Sequence, residues 1–338
     1  MKIKNLFTIL NLIFLIFISG CGSISTQNKQ DVDVHVGYKG LAIEFVKNTP
    51  PPRIFEGDTF PVYLKIKNNG AYSIKDSKAI VNLGVEKDYT LQVVLLEGSR
   101  IQKAEGENAA KFSLDGKSNI NPIGDEDVIS YNVKAGKIDP QSEAHPSTVT
   151  ATLCYPYETI FSTGVCIDSD ISNLRPGKKV CEVRDLVPSG GQGAPVAVTK
   201  VEVSMLPTQA NDKEKSIQKI IPQFLIYVEN KGSGLVINSE AVGEFCTKSE
   251  AKHENLNIIY IDAELSGEKL YCQLETKQNI PGHIKLKDKK DIVRCTLEKG
   301  IESTDTYLSP LRITLTYGYT QSISANYFIQ KTVQDRAR

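Results

Sequence analysis

The sequence has few of the residues that build metal and nucleotide sites. Its 338 residues include no tryptophan, two methionines and four histidines. No two cysteines have the Cys-x-x-Cys spacing that is typical of a structural zinc site. The glycine-rich stretch at 189–195 is not followed by the Gly-Lys-Ser/Thr of a phosphate-binding loop, so it is interpreted as part of an interdomain linker. We therefore predict no catalytic residue and no cofactor.

The chain also lacks an excess of either charge. It has 40 Lys and Arg residues against 40 Asp and Glu residues, a balance that argues against nucleic acid as the main partner. A hydrophobic content of 40% is enough to form packed cores, and the length corresponds to about two domains. Fourteen tyrosines in a chain without tryptophan favour a β-rich protein.

No apolar run reaches the length of about 20 residues that is needed to span a bilayer. The longest, at 6–18, follows two lysines and has the length of a signal-peptide core. It ends in Ile18-Ser19-Gly20-Cys21, which resembles the lipobox of prokaryotic lipoproteins. The resemblance implies cleavage after residue 20 and a diacylglyceride on the Cys21 thiol. We expect a signal peptide at 1–20, then the lipidated cysteine and a flexible tether at 21–34. The protein would thus be membrane-anchored in the cell envelope, outside the cytoplasm.

The body of the chain repeats itself at a constant offset of 162 residues. The matching segments are Ala151–Ile167 with Ile313–Ile329, Val62–Gly70 with Phe224–Gly232, and Ser77–Leu83 with Ser239–Phe245. One offset that holds across separate segments indicates a tandem duplication. We expect a first domain at 35–169, a cysteine-containing linker at 170–195, a second domain at 196–333 and a short tail at 334–338.

Both copies show the alternation of apolar and polar residues that is typical of strands. Val62, Leu64 and Ile66 have this period in the first copy, and Phe224 and Ile226 have it in the second. Glycine-containing turn signals separate the runs. Seven or eight short strands per copy predict an all-β protein of two tandem antiparallel Ig-like β-sandwiches. A single helix is expected at Asn211–Ile220, as a loop decoration of the second copy.

A strand that ends in Asn-x-Gly occurs in both copies. The segments are Lys67-Asn68-Asn69-Gly70 and Glu229-Asn230-Lys231-Gly232. They resemble the immunoglobulin-like repeats of prokaryotic surface proteins, notably the CARDB-type adhesion modules, over the first three or four strands of each copy. The resemblance implies an Ig-like sandwich. The copies differ from that family at their ends, where Thr152–Ile167 is expected to form a tyrosine-rich hairpin.

Besides Cys21 the chain has six cysteines, an even number that suggests disulfides in an exported protein. Cys272 and Cys295 each share a strand face with leucine and valine side chains, so we predict that they pair in the core. Cys166, on the outer face of its strand, is expected to pair with Cys181. Cys154 and Cys246 remain, either as a bridge between the two copies or as free thiols.

The remaining polar residues have ordinary structural interpretations. The histidines, His35, His145, His253 and His283, are scattered and have no accompanying catalytic motif. Asp168 and Asp170 are weak candidates for calcium ligands, since such loops hold calcium between some Ig-like repeats. Two tyrosine pairs, Tyr155 with Tyr157 and Tyr317 with Tyr319, suit either recognition or the core, and the core is favoured.

The sequence therefore predicts a lipid-anchored surface protein that binds or scaffolds and is not an enzyme. Its partner would be an envelope glycan or another protein. An alternative is an accessory subunit of a membrane-associated secretion, pilus or transport assembly, which would join its partner by strand addition. A surface hydrolase is the least favoured interpretation, because no set of acid, base and nucleophile is visible.

Overall fold

The computed structural model of the protein describes residues 33–172, 174, 177–208, 219–248, 252–273, 283–302 and 305–332. The residues from Asp33 onward belong to one compact unit. The expected signal peptide, Cys21 and the tail at 334–338 lie outside the described residues. Of the expected helix at Asn211–Ile220, residues 211–218 also lie outside them, and the last two residues begin a strand.

The described elements are almost all strands. In chain order they are β1 (Leu41–Phe45), β2 (Arg53–Phe55), β3 (Thr59–Asn68), β4 (Ile74–Gly84), β5 (Thr90–Leu96), β6 (Ile101–Lys103), β7 (Ala109–Leu114), β8 (Glu126–Ala135), β9 (Ala144–Ile167), β10 (Val196–Pro207), β11 (Lys219–Asn230), β12 (Leu235–Ile237), β13 (Ile258–Leu265), β14 (Glu268–Lys269), β15 (Tyr271–Gln273), β16 (His283–Lys285), β17 (Lys290–Thr296), β18 (Ile301–Glu302) and β19 (Tyr307–Gln330). One short α-helix, α1, spans Val242–Thr247.

These strands form three sheets. A four-stranded sheet, β1-β3-β8-β5, comes entirely from the first repeat, and a five-stranded sheet, β10-β11-β17-β15 with β18 beside β11, comes from the second. A ten-stranded sheet draws on both repeats in the order β14-β13-β19-β9-β4-β7-β6, with β2, β12 and β16 at its side. All these pairings are antiparallel except that of β2 with β19. The all-β antiparallel prediction is confirmed.

The two longest strands join the repeats. β9 and β19 pair over 24 residues, from Ala144 opposite Gln330 to Ile167 opposite Tyr307. Pro156 lies opposite Gly318, and these positions are also equivalent in the 162-residue repeat. A pseudo-twofold axis therefore passes through the middle of the pair.

The expected hairpin at Thr152–Ile167 is wrong. This segment is the straight continuation of β9, without a turn. The reason is that β19, a strand of equal length from the other repeat, satisfies the backbone hydrogen bonds of β9 along its whole length. Local sequence periodicity does not distinguish such a strand from two shorter ones.

The core lies between the large sheet and the two smaller ones. Odd-numbered residues of β9 and β19 point inward, and most of the apolar ones among them belong to the same hydrophobic cluster as the inner faces of both smaller sheets. Phe60 of β3, for example, lies with its ring centroid 5.2 Å from that of Tyr327 of β19. The division into two sandwiches at 35–169 and 196–333 stays a prediction, because the smaller sheets respect that boundary and the large sheet crosses it.

The repeat is broken after β12. Ser239–Phe245, which aligns in sequence with a part of β4, forms a 3-10 turn at Ser239–Ala241 followed by α1. The Asn238 side chain accepts a hydrogen bond from Glu240 N and so caps this turn. β13 then takes the position beside β19 that β4 has beside β9. The strand of the first copy is thus replaced by a turn, a helix and a later strand.

Candidate functional site

Four tyrosines pack around the pseudo-twofold axis on the inner face of the large sheet. Tyr155 lies opposite Tyr319 with ring centroids 5.7 Å apart, and Tyr157 lies opposite Tyr317 at 6.3 Å. None of the four is more than 2% exposed. The interpretation of these tyrosines as core residues is therefore confirmed, and they do not form a recognition surface.

The tyrosine hydroxyls hold the first residues of the smaller sheets in place. Tyr155 Oη accepts a hydrogen bond from Leu41 N at 3.2 Å, and Tyr317 Oη accepts the equivalent bond from Val196 N at 3.3 Å. Burial is the main cause that raises the pKa of both hydroxyls well above the ordinary value. Both tyrosines are therefore neutral at physiological pH, and their role is structural.

The Asn-x-Gly segments meet this tyrosine cluster. The buried Asn68 side chain donates to Tyr72 O at 2.7 Å and accepts from Gly70 N at 3.1 Å. Asn230 makes the equivalent bonds, to Gly234 O at 2.9 Å and from Gly232 N at 3.0 Å. The motif thus closes the chain around a buried amide in both repeats.

Glycine is required in the motif by close approach. A Cβ atom on Gly70 would lie 2.0 Å from Tyr157 Oη, and one on Gly232 would lie 2.1 Å from Tyr319 Oη. Both separations are far below a van der Waals contact. The asparagine and the glycine on which the family resemblance rests therefore serve the fold in both repeats.

Three disulfides connect the described cysteines. They are Cys154–Cys246, Cys166–Cys181 and Cys272–Cys295. The first crosses between repeats and holds α1 against the outer face of β9, where Val242 and Ile237 complete a small buried cluster. In this structure Cys154 and Cys246 are bonded and are not free thiols. The second ties the segment after β9 to that strand, and the third links β15 to β17.

The two calcium candidates are ion-paired with a lysine. Lys179 Nζ lies 2.6 Å from Asp168 Oδ2 and 3.5 Å from Asp170 Oδ2. Burial alone would raise the pKa of Asp168, but hydrogen bonds from Lys179, the Asp170 backbone and Thr306 outweigh it and lower that pKa. The ammonium group thus offsets part of the negative charge of the two carboxylates.

The histidines do not converge. His145 Nε2 lies 3.2 Å from Glu86 Oε2 and its ring stacks on Tyr89, with centroids 3.6 Å apart. His35, His253 and His283 lie elsewhere on the chain, in a coil, a 3-10 turn and β16. Within the described ranges, no group of three or more His, Cys, Asp and Glu side chains is placed to hold a metal ion.

The outer face of the β9–β19 pair carries a feature that sequence reasoning missed. Three cross-strand pairs of polar side chains are hydrogen-bonded there: Thr152 with Ser322 at 2.9 Å, Thr150 with Ser324 at 2.9 Å, and Thr148 with Asn326 at 3.0 Å. We call these six residues the hydroxyl ladder. The alternation in Thr148-Val-Thr-Ala-Thr152 was a visible signal, but only the strand pairing shows that a second polar row lies opposite it.

Further accessible features of the described residues include two grooves and an open strand edge. A groove of about 660 Å³ lies on the outer face of the five-stranded sheet, beside Tyr227, Ile292 and Arg294. A second groove, of about 580 Å³, lies between the start of β1 and residues 321–323 of β19. β5 ends the four-stranded sheet and has no charged residue from Thr90 to Leu96.

Comparisons with known proteins give no family for the chain. No protein-family model matches the sequence, and no curated protein is significantly similar to it. Solved structures with some likeness include a type I cohesin–dockerin complex from Clostridium thermocellum, at 17% identity over 36% of this chain and 84% of that chain with a TM-score of 0.22. The partial N-terminal region of an enterococcal surface protein matches at 8% identity over 82% and 84%, with a TM-score of 0.21. The collagen adhesin of S. aureus matches at 11% identity over 88% and 93%, with a TM-score of 0.18.

TM-scores this low do not establish a common fold with any of these proteins, and nothing about binding follows from them. The function of this chain is therefore inferred from its own sheets and disulfides. Across the part of the chain that the structure describes, there is no helix with the length and apolar character to cross a membrane.

Proposed function

We propose that this protein is an exported, non-catalytic binding or scaffolding protein that a lipid on Cys21 holds at the cell surface. The observation that carries the proposal is the joining of two repeats into one disulfide-clamped body. β9 of the first repeat pairs with β19 of the second along their whole length, and the Cys154–Cys246 bridge links the two repeats covalently. Such a body holds its surface loops and sheet faces in fixed positions relative to one another, as a binding or scaffolding protein requires.

The disulfides support export. Disulfides persist in oxidising compartments and are rare in the cytosol. All six cysteines beyond Cys21 are paired in this structure. A leader that resembles a lipoprotein signal agrees with this compartment, and we propose that all three bridges form there. Peptide mapping under non-reducing conditions tests this, and recovery of Cys272 as a free thiol would contradict it.

The anchor is tested by metabolic labelling with a radioactive fatty acid in a prokaryotic host. The wild-type protein is expected to incorporate label and to sediment with membranes. The variant Cys21→Ser is expected to lose both the label and the sedimentation, whereas Cys272→Ser, which leaves the lipobox intact, should keep the label. Equal labelling of wild type and Cys21→Ser would refute the anchor.

The binding role is tested with envelope fragments from the producing cell. The wild-type protein is expected to co-sediment with fragments from which lipid has been extracted, because the interaction would belong to the folded body and not to the anchor. Protein that was reduced and alkylated under denaturing conditions provides the control. Equal retention of native and unfolded protein would argue against a specific binding surface.

A second candidate function, an accessory subunit that joins a partner by strand addition, is favoured by β5. This edge strand lacks the charges and prolines that usually protect an open edge, and Leu91 and Leu96 are exposed on it. Val94→Lys on the edge strand should then abolish co-purification of a partner at fixed stoichiometry. Val128→Lys, on the inner neighbour β8, should not. Failure to recover a stoichiometric partner from solubilised membranes would rule out this candidate.

A further inference from the structure

The six side chains of the hydroxyl ladder are uncharged and at least partly accessible on the outer face of the large sheet. At one end of the ladder the Glu86 carboxylate accepts a hydrogen bond from Thr148 N at 3.0 Å. Ser322, Ser324 and Asn326 are exposed, and the three threonines opposite them are half-buried. Successive pairs repeat about every 6.8 Å along the strands. Each hydroxyl has one donor and two acceptor positions, so the cross-strand bonds leave hydrogen-bonding capacity that faces solvent.

The fold does not require the ladder. The pseudo-twofold axis relates it to the other end of the same strand pair, which has equal length and an unbroken register. On the outer face of that end, Ser162 lies opposite Arg312, Ile160 opposite Thr314, and Gly164 opposite Pro310. Because the strands pair there without a row of hydroxyls, the ladder is not explained by strand pairing.

Exposed aromatic side chains lie at the open end of the ladder. Phe328 follows Asn326 by two residues on the same face of β19 and is 49% exposed. Phe55 of β2 lies beside Gln330 on that face and is 45% exposed. At the other end α1 covers the pair Cys154 and Thr320. The accessible part of this outer face therefore extends from α1 to the phenyl rings of Phe328 and Phe55.

We propose that the hydroxyl ladder, together with Phe328 and Phe55, binds an uncharged polysaccharide. A neutral sugar chain offers hydroxyls that both donate and accept, which matches side chains with the same dual capacity. The apolar face of a sugar ring packs on an aromatic ring, as the exposed phenyl groups would allow. An anionic chain is less well matched, because no residue of the ladder carries a positive charge and Arg53, which lies opposite Phe328, stands at the phenyl end of the site.

This inference rests on the proposed binding function and names its site and ligand class. The test is co-sedimentation of the full-length protein with four neutral polymers, which are cellulose, chitin, β-1,3-glucan and α-mannan, with polygalacturonate as the anionic comparison. Ser324→Glu places a charge in the ladder. Ser162→Glu is the matched control, since residue 162 is the repeat equivalent of residue 324, is exposed, and faces Arg312.

We expect the wild-type protein and Ser162→Glu to bind at least one neutral polymer with affinities within about twofold of each other. Ser324→Glu should bind it at least about tenfold more weakly, because a charge would be desolvated in the complex. Phe328→Ala should also weaken binding. Thr150→Val removes one hydroxyl and keeps the branched side chain, so it reports on the ladder even where a charged variant unfolds. Thermal melting verifies that each variant is folded.

Three results would overturn the inference. They are failure of the wild-type protein to bind any neutral polymer, binding of polygalacturonate alone, and equal binding by wild type, Ser324→Glu and Thr150→Val. The same variants are tested on envelope fragments. If wild type and Ser324→Glu bind these fragments equally well, the binding function stands and the ladder is not its site.

Discussion

Replacing Gly70 by alanine is expected to destabilise the protein strongly, because three separate segments enclose this position. The added Cβ atom would lie 2.0 Å from Tyr157 Oη, 2.3 Å from Gly193 O and 2.5 Å from Lys39 O. Two of these atoms are backbone oxygens, so a side-chain rotation cannot relieve the clash. Tyr157 is itself packed against Tyr72 and Tyr155, with ring centroids 5.4 and 5.6 Å away.

The cost follows from the usual penalty for overpacking. Inserting a methyl group into a filled core costs about 1 to 3 kcal/mol, and here two backbone segments must move, so we expect about 3 kcal/mol or more. For a folded unit of this size that corresponds to a fall in the melting temperature of about 5 °C. Gly98→Ala is the matched control, since its Cβ would meet no atom within 4 Å.

Gly232, the repeat equivalent of Gly70, provides an internal comparison. The nearest atoms to its Cβ belong to the side chains of Tyr319 and Pro195, at 2.1 and 3.0 Å. Side chains yield more easily than backbone, so Gly232→Ala should cost less than Gly70→Ala. Adding Tyr319→Phe to Gly232→Ala should recover part of its loss, because the clashing oxygen is removed.

The assay is thermal unfolding of purified full-length protein under non-reducing conditions, followed by circular dichroism. Gly98→Ala should melt within about 2 °C of the wild-type protein. If Gly70→Ala melts at the same temperature as Gly98→Ala, residues 39, 157 and 193 do not enclose Gly70 as described. The account of the Asn-x-Gly motif as a packing device would then be refuted.

Three other predictions concern the ion pair and the long disulfide. The folded pKa of Asp168 lies below its ordinary value of 3.8, so its ionisation stabilises the fold above that pH and this contribution is lost on acidification. Lys179→Met should therefore lower the melting temperature at pH 7 and differ less from wild type below about pH 3.8. A difference in melting temperature that does not depend on pH would contradict this. Because Lys179 compensates the same carboxylates, EDTA and added calcium should both leave the wild-type melting temperature unchanged, and a calcium-dependent rise would establish a metal site. The Cys154–Cys246 bridge closes a separation of 92 residues. A double alanine variant that removes it should lose about 4 to 5 kcal/mol of unfolding free energy, measured by denaturant unfolding. A loss below about 1 kcal/mol would show that packing alone holds α1.

The predictions that succeeded depended on local patterns. The period of two in Val62–Ile66 correctly indicates a strand with one buried face, because alternate side chains point to opposite sides of a sheet. The same alternation placed Cys272 and Cys295 on faces that can meet. The predictions that failed involve long-range competition. The sequence of Ser239–Phe245 resembles that of a strand in the first copy, yet it forms a turn and a helix.

The hydroxyl ladder shows the same limit for a candidate site. Its threonines and serines are visible in the sequence as alternating residues, but their facing arrangement needs the register that sets Thr150 opposite Ser324. These two residues are 174 positions apart, and no periodicity within either strand specifies the partner. The same holds for Lys179 and Asp168, whose ion pair joins a strand end to a later loop.

By itself, the sequence determined that the chain is built from strands and that Cys272 and Cys295 lie on strand faces that can meet, because these properties depend on side-chain alternation. Only the tertiary structure decided that the repeats share one sheet through β9 and β19 and that a polar row faces solvent along one half of that pair. The physical reason is that backbone hydrogen bonds between strands are the same for every sequence. The choice of partner is made by the packing of whole faces, which exists only once the chain has folded.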